Sequence, residues 1–305
     1  MIKVFTDGSA GTTGLRIKER LAGRNDIEII ALPEDLRKDI NARKEALNSA
    51  DVAFLCLPDT ASIESVSLVD NPETKIIDTS TAHRVNPDWA YGFPELTGYK
   101  DKILNSKRIA NPGCHASGFI SLIAPLVENN IIPDDILLSA YSLTGYSGGG
   151  KKMIAEYETE NRDCQLDSPS MYGLTQNHKH LPEMSFVCGL KNNPIFCPVV
   201  APFYSGMEVT VPLFKSQING NIDTIKEVYR NYYTDGLVKY VENNDNFLYT
   251  NSLSGKDNME ITVCGNEDRI LLVSRFDNLG KGASGAAIQN FNIIIGADEC
   301  TGLNV

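Results

Sequence analysis

Basic residues are in deficit. The 305-residue chain carries 28 Lys+Arg against 39 Asp+Glu, a formal charge of −11. A surface that acidic repels phosphate backbones and anionic headgroups over a Debye length or more, which argues against general nucleic-acid or membrane-surface binding. An anionic ligand must then be met locally, by helix N-termini and a few basic side chains. Cysteine pairs are missing too: Cys56, Cys114, Cys164, Cys188, Cys197, Cys264 and Cys300 are scattered with no C-x-x-C. That excludes a disulfide framework or zinc cluster, and no metal site is expected. No apolar run approaches the roughly 20 residues of a membrane span. The opening Met-Ile-Lys-Val-Phe-Thr-Asp enters an apolar alternation without a charged leader, so a cytoplasmic protein with reduced thiols is expected. Histidine is scarce, with only His83, His115, His178 and His180 to perform imidazole chemistry.

What is present suffices for one large or two moderate cores, at 42% hydrophobic residues. The first hundred residues alternate strand-like and helix-like pieces: Ile2–Phe5, Thr13–Leu21, Ile27–Leu32, Asn41–Leu47, Val52–Leu57, Ala61–Val69, Lys75–Ile77. Each crossover helix must cover a sheet face, so the pattern predicts βαβ units and a parallel sheet. After Asn111 an apolar helix over Ser117–Val127 leads into β-rich segments such as Ile136–Leu143, Phe196–Tyr204, Met207–Phe214, Met259–Val263 and Ile270–Arg275, with a further helix at Thr224–Tyr233. The expected fold class is α/β, a Rossmann-like doubly wound parallel sheet plus an α+β catalytic domain with a mixed or antiparallel sheet. The first domain is expected to span 1–114 and to recover a C-terminal helix within 283–305. The second spans 115–282, with a ligand cleft between the two.

Gly8, Gly11 and Gly14 lie in Asp7-Gly-Ser-Ala-Gly-Thr-Thr-Gly14, between the first strand and the first helix. Glycines there let a pyrophosphate approach the backbone amides at the positive end of a helix. The spacing is G-x-x-G-x-x-G, and a plain strand-to-helix turn is the alternative. Thr12 and Thr13 offer hydroxyl donors. The segment after the second strand, Pro33-Glu-Asp-Leu-Arg-Lys38, has both signs of charge. Glu34 or Asp35 would favour NAD and Arg37 or Lys38 NADP, so cofactor preference stays open.

Asn111-Pro-Gly-Cys114 puts a thiol just before an apolar helix, where the helix dipole and unpaired amides favour thiolate. Cys114 is the expected nucleophile. Its proton shuttle is expected in His178-Lys-His180-Leu-Pro-Glu183, with either histidine as the acid/base. His115, although adjacent in sequence, is expected to point elsewhere.

Seven blocks in order carry a resemblance: Asp7–Gly14, Phe54-Leu-Cys-Leu-Pro58, Asp78-Thr-Ser-Thr-Ala-His-Arg84, Tyr91-Gly-Phe-Pro-Glu95, Asn111–Cys114, His178–Glu183 and Asn278-Leu-Gly-Lys-Gly-Ala-Ser-Gly285. Over positions 2–296 the chain resembles the short-type N-acetyl-γ-glutamyl-phosphate reductases, within the aspartate-semialdehyde dehydrogenase-like family. The resemblance implies NADPH-dependent reduction of an acyl phosphate to a semialdehyde in arginine biosynthesis, through a thioester on Cys114. It assigns His178 as acid/base, with His180 as runner-up and Glu183 orienting it. It implies NADP(H) contacts from Gly8, Ser9, Gly11, Thr12, Thr13, Gly14, Cys56, Asn278, Lys281 and Gly282. Substrate-side contacts fall to Ser80, Arg84, Ser147 and Gly148, the last two in a flexible loop, Tyr146–Lys152. The implied partners are N-acetylglutamyl phosphate and inorganic phosphate, with no nucleic acid and no membrane, and the implied assembly is a homo-oligomer, dimer or tetramer. The segment Pro194–Tyr204 has no histidine, which argues against aspartyl phosphate as substrate. The alternatives are another acyl-phosphate or semialdehyde dehydrogenase and a nonenzymatic NADP-binding regulator.

Overall fold

A computed structural model describes residues 1–8 and 11–305. The chain divides into two compact units, Met1–Pro112 with Ala283–Leu303, and Gly113–Gly282 with Asn304–Val305. Gly113 and Cys114 therefore belong to the second unit, although the sequence reading ended the first domain after Cys114.

The first unit is built on six parallel strands: β1 (Ile2–Asp7), β2 (Ile27–Ile30), β3 (Val52–Leu55), β4 (Lys75–Asp78), β5 (Ala90–Tyr91) and β6 (Arg108–Ala110). Their order is β2-β1-β3-β4-β6-β5. Helices α1 (Thr12–Ala22), α2 (Ile40–Ser49), α3 (Asp59–Ser67) and α4 (Tyr99–Leu104) fall between them. All four residues of β3 are buried, as a parallel strand covered on both faces requires. One face packs Val4, Phe54 and Ile77 against Ile17 and Leu21 of α1 and against Phe291. The other packs Phe5, Leu55 and Ile76 against Ala46 and Leu47 of α2. Strand order reverses between β1 and β3, and their carboxyl ends deliver Gly8 and Cys56 to that crevice, where open α/β sheets bind ligands.

The second unit starts with α5 (Cys114–Glu128) and holds β7 (Ser139–Gly145), α6 (Gly150–Glu158), β8 (Ser170–Met171), α7 (Leu181–Cys188), β9 (Ile195–Ala201), β10 (Met207–Phe214), α8 (Ile222–Tyr232), β11 (Val238–Tyr240), β12 (Met259–Gly265) and β13 (Arg269–Phe276). Its seven-stranded mixed sheet runs β11-β12-β13-β10-β7-β9-β8. The burial of β10 alternates strictly, Val209 and Val211 inward, Glu208 and Thr210 half-exposed, so one face is core. Helix α5 lies on that face. Gly118 brings it so close that an added Cβ would stand 2.4 Å from Val209 Cγ2 on β10. The opposite face keeps Tyr141, Ile195, Phe214 and Leu271 exposed. Past Gly282 the chain rejoins the first unit as α9 (Gly285–Ile295), nearly all of it buried.

One loop reading needs correction. Tyr146–Gly149 is a 3-10 turn and Gly150–Glu158 is helix, so Lys151 and Lys152 stand on the first turn of α6. The glycines look like a flexible linker in sequence, yet Gly150 supplies a φ of +74° at the joint between the two helical pieces.

Candidate active site

In the first unit, Gly8 has a φ of +83° and packs on the carbonyl of Cys56; an added Cβ would lie 2.3 Å from that oxygen. Only glycine fits both demands. Gly11 caps α1 with extended backbone, Thr12 and Thr13 open the helix, and Gly14 turns into the core. Thr12 Oγ1 is buried with no hydrogen-bond partner among the described residues. Ser9 lies outside the described residues. Burial pushes the Cys56 thiol up to about 12, so it stays protonated.

Beside this loop lies a cavity of about 730 Å³. Asp7 and Gly8, the end of β2 (Ile29, Ile30) with Leu32, and the charged Lys18, Glu34, Asp35, Arg37, Lys38 and Arg43 line it. Sequence reasoning overlooked Arg43. Its guanidinium reaches Asp7 Oδ2 through Nε and Nη2, both 3.1 Å, and Glu64 through Nη1, 2.9 Å. Ser65 Oγ also donates to Asp7 Oδ2, 2.8 Å. This network pins the end of β1 under the glycine turn, and nothing local in the sequence signals a pairing 36 residues apart.

At the end of β4, the buried carboxylate of Asp78 collects Ser62 Oγ, Ser80 Oγ and the Ser80 N–H, and pairs with His83 Nδ1 at 2.6 Å. Trp89 stacks on His83, centroids 4.0 Å apart. Arg84 is buried, its Nε and Nη2 donating to the carbonyls of Asn111 and Thr79, each 2.9 Å. Ser80 and Arg84 thus both make contacts that hold the β4 rim together.

The second unit brings most of the expected chemistry together. Cys114 is the first residue of α5, half-buried, with Gly113 as the N-cap. Glu183 Oε2 accepts the Gly113 N–H at 3.2 Å, and its Oε1 stands 3.9 Å from His180 Nε2. The carboxylate expected to orient His178 thus holds the start of the nucleophile's helix and faces His180. His115 turns inward, with Nδ1 at 2.6 Å from Ser142 Oγ and Nε2 at 2.6 Å from Tyr172 Oη. Burial, with His178 and Lys179 nearby, pushes its pKa down to about 3, so it is a neutral buttress. The His178 and His180 rings each lie 5.5 Å from the His115 ring and 4.8 Å from one another. Partial burial and Lys179 push His178 down to about 4. Its Nδ1 accepts the His180 backbone N–H at 3.2 Å. In neutral His178 the ring proton therefore sits on Nε2, which presents a donor.

Tyr172 was a further omission. Its hydroxyl meets His115, and burial together with the Cys114 charge raises its pKa. The segment after β13 completes the constellation. Asn278 is buried, accepting the Gly206 N–H at 2.9 Å and donating to Ser147 Oγ at 3.0 Å. Gly148 packs beside Thr144 and Asn278. Lys281 is fully buried in a π-helical turn, Gly280–Ser284, a rare geometry that recurs at functional sites. Gly282 sits against the nucleophile, an added Cβ lying 3.0 Å from Cys114 Cβ. Ser147, Asn278 and Gly282 therefore share one unit with Cys114, His178 and Glu183.

Residues 31–105 match the family model for the semialdehyde dehydrogenase NAD binding domain, and residues 114–278 that for the semialdehyde dehydrogenase dimerisation domain. The chain is 45% identical to an N-acetyl-gamma-glutamyl-phosphate reductase of Brucella suis and 44% identical to that of Brucella ovis, each alignment covering 96% of this chain and 99% of the relative. Among solved structures, aspartate semialdehyde dehydrogenase II of Vibrio cholerae, complexed with ASA, superposes with a TM-score of 0.72 at 15% identity, over 97% of this chain and 98% of that one. The Candida albicans aspartate semialdehyde dehydrogenase with NADP gives 0.68 at 14% identity over the same shares. These distant structures share the fold. The fold, the cysteine-led helix and the near-full-length identity to the Brucella proteins agree: the chain belongs to the N-acetyl-gamma-glutamyl-phosphate reductase family of oxidoreductases.

Proposed function

We propose that this protein reduces N-acetyl-L-glutamyl 5-phosphate to N-acetyl-L-glutamate 5-semialdehyde and inorganic phosphate with NADPH, through a thioester on Cys114. The observation that carries the reading is the placement of Cys114 at the first position of α5, with Gly282 against it and the His178/His180 pair around its neighbour His115. The helix end favours thiolate. Its sulfur attacks the acyl carbon, the carbon–oxygen bond to phosphate breaks, and inorganic phosphate leaves with the electron pair.

The residues of the first unit fit a dinucleotide: the Gly8 turn would be filled by any Cβ, Thr12 Oγ1 is unpartnered among the described residues, and the cavity beyond β2 has room for an adenosine moiety. When bound, NADPH supplies the hydride that converts the thioester to the thiohemiacetal level. His178 then acts as a hydrogen-bond donor. Neutral, with its proton on Nε2, it donates a hydrogen bond to the developing oxyanion and keeps that proton as the oxyanion collapses to aldehyde and expels the Cys114 thiolate. His180, paired with Glu183, is the second acid/base group in reach. Lys18, Arg37 and Lys38 outnumber Glu34 and Asp35 around the cavity, which supports a ribose 2′-phosphate and hence NADP over NAD. The exposed apolar face of the second sheet and the match to a dimerisation domain support a homodimer joined through that face.

The test is the reverse reaction, followed by nicotinamide absorbance, from N-acetylglutamate semialdehyde, NADP and inorganic phosphate, with NAD and aspartate semialdehyde as parallel substitutions. Phosphate-dependent turnover selective for the acetylated aldehyde and NADP is expected. Turnover with aspartate semialdehyde alone, or no phosphate-dependent turnover with either aldehyde, would overturn the reading.

A further inference from the structure

The segment that seats the nucleophile is itself held from a distant part of the chain. Asp277, fully buried at the end of β13, turns the chain with both its carbonyl and its carboxylate. The carbonyl accepts the Gly280 N–H at 3.1 Å and the Gly282 N–H at 3.0 Å, and Oδ1 accepts the Leu279 N–H at 2.7 Å. Gly282, fixed in this way, is the residue in contact with Cys114 Cβ. The other oxygen, Oδ2, accepts the Gly255 N–H and Ser205 Oγ. Gly280 presses on the same loop: an added Cβ would fall 2.1 Å from the Lys256 carbonyl and 3.1 Å from Asp257 Oδ1. The turn under Cys114 therefore rests on residues 253–257.

That loop is closed from its far side by Asn304. The Asn304 N–H donates to Asp257 Oδ2 at 2.8 Å, its carbonyl accepts the Asp257 N–H at 2.7 Å, and its side-chain amide donates to the Gly255 carbonyl at 2.9 Å. Asp257 is fully buried, so the two main-chain bonds of Asn304 satisfy groups for which a lost partner is costly, while the side-chain bond to Gly255 closes the exposed edge of the loop. Asn304 returns to this unit after α9 has run through the other one, and it gains three hydrogen bonds on a loop that touches no reacting atom.

We infer that Asn304 is a positioning residue of the thioester chemistry: through Gly255 and Asp257 it fixes the 253–257 loop under Gly280, and thereby the 277–282 turn against Cys114. The inference rests on the reading of Cys114 as nucleophile. Asn304→Asp keeps the size of the side chain and removes the donor to Gly255 while leaving the two main-chain bonds to Asp257; ending the chain at Leu303 removes all three bonds, and either variant carries the test if the other fails to fold. Two readouts are taken on the full-length protein: kcat and KM for the reverse reaction, and the pH profile of iodoacetamide alkylation at Cys114, read by peptide mass spectrometry. Loosening a catalytic contact by a fraction of an ångström to 1 Å costs up to about a hundredfold. The expected result is a tenfold or greater fall in kcat with KM for aldehyde and NADP within twofold, and an altered alkylation profile at Cys114 but not at Cys300. Loss of activity only in proportion to loss of folded protein, with the Cys114 profile unchanged, would overturn it. A native protein inactive on every aldehyde would sink the proposed reaction, while the alkylation arm would still decide the role of Asn304.

Discussion

Gly118→Ala probes the seat of the nucleophile's helix. In a helix interior alanine is normally better than glycine by about 1 kcal/mol. Here the added Cβ would lie 2.4 Å from Val209 Cγ2 and 2.9 Å from both Val209 Cβ and Ser274 Oγ. Carbon pairs settle at about 3.5–4.0 Å, so α5 or β10 must give by about 1 Å. Overpacking of that kind costs about 1–3 kcal/mol, which offsets the propensity gain and leaves a net loss of up to about 2 kcal/mol. The same movement displaces Cys114, four residues earlier at the helix start, and kcat should fall by about tenfold to a hundredfold. Urea unfolding gives the first quantity and the reverse reaction the second. Val209→Ala in the same chain removes the offending methyl groups, so the double variant should recover part of both losses, a coupling visible in a double-mutant cycle. A Gly118→Ala protein at least as stable as the native chain, with native kcat, would refute the packing argument and the link from packing to catalysis.

Cys114→Ser should bind NADP as the native chain does and lose turnover by several orders of magnitude, because the thioester no longer forms; fluorescence titration and single-turnover kinetics separate the two, and retained turnover would contradict covalent catalysis. Gly8→Ala should do the reverse: the positive φ and the 2.3 Å approach to the Cys56 carbonyl distort the first turn, so NADP affinity should drop at least tenfold, about 1.4 kcal/mol, while Cys114 still reacts with iodoacetamide. The third outcome concerns acid. His115 and His178 are held at about 3 and about 4 against an ordinary 6.5; in the unfolded chain they take up protons as pH falls below about 6.5, and in the folded protein they do not. Their stabilisation is complete above that value and is lost as pH falls through the folded values. His115→Asn should therefore flatten the slope of the urea midpoint between pH 6.5 and 4; an unchanged slope would mean that His115 is not the buried, neutral group described.

The parallel sheet was legible because its causes are local. Each βα repeat sets an apolar run against a helix of matching length, and the switch point follows from strand order. The edge of that sheet was not legible: β5 has two residues and β6 three, too short for periodicity to register. The same holds for α7, where Leu181-Pro182 opens a helix and the proline at its first turn was the available signal. In the site, Cys114 could be found because Pro-Gly before an apolar run marks a helix start. The His178/His180 pair and Glu183 could be nominated by their density in the sequence, but the contacts that build the site could not, because they span long stretches of chain: Glu183 reaches Gly113 across 70 residues, Tyr172 reaches His115 across 57, and Asn304 reaches Asp257 across 47. Periodicity and spacing carry no information at that range.

The charge argument shows the same division between composition and geometry. A net charge of −11 requires local cations wherever an anionic ligand binds, and arginines beside the ligand motifs are the natural choice on paper. In the fold, Arg43 is engaged by Asp7 and Glu64, and Arg84 gives two of its nitrogens to backbone carbonyls. Both serve to fix strand ends. The cavity beyond β2 is lined, besides Arg43, by Lys18 from α1 and Arg37 and Lys38 from the loop after β2, and of these Arg37 has Glu34 4.0 Å away. Lysine heads on exposed stems are well suited to a phosphate that must bind and leave at every turnover, whereas a buried arginine held by several acceptors is suited to rigidity. The sequence shows which cations exist; the fold shows which of them are engaged by the scaffold.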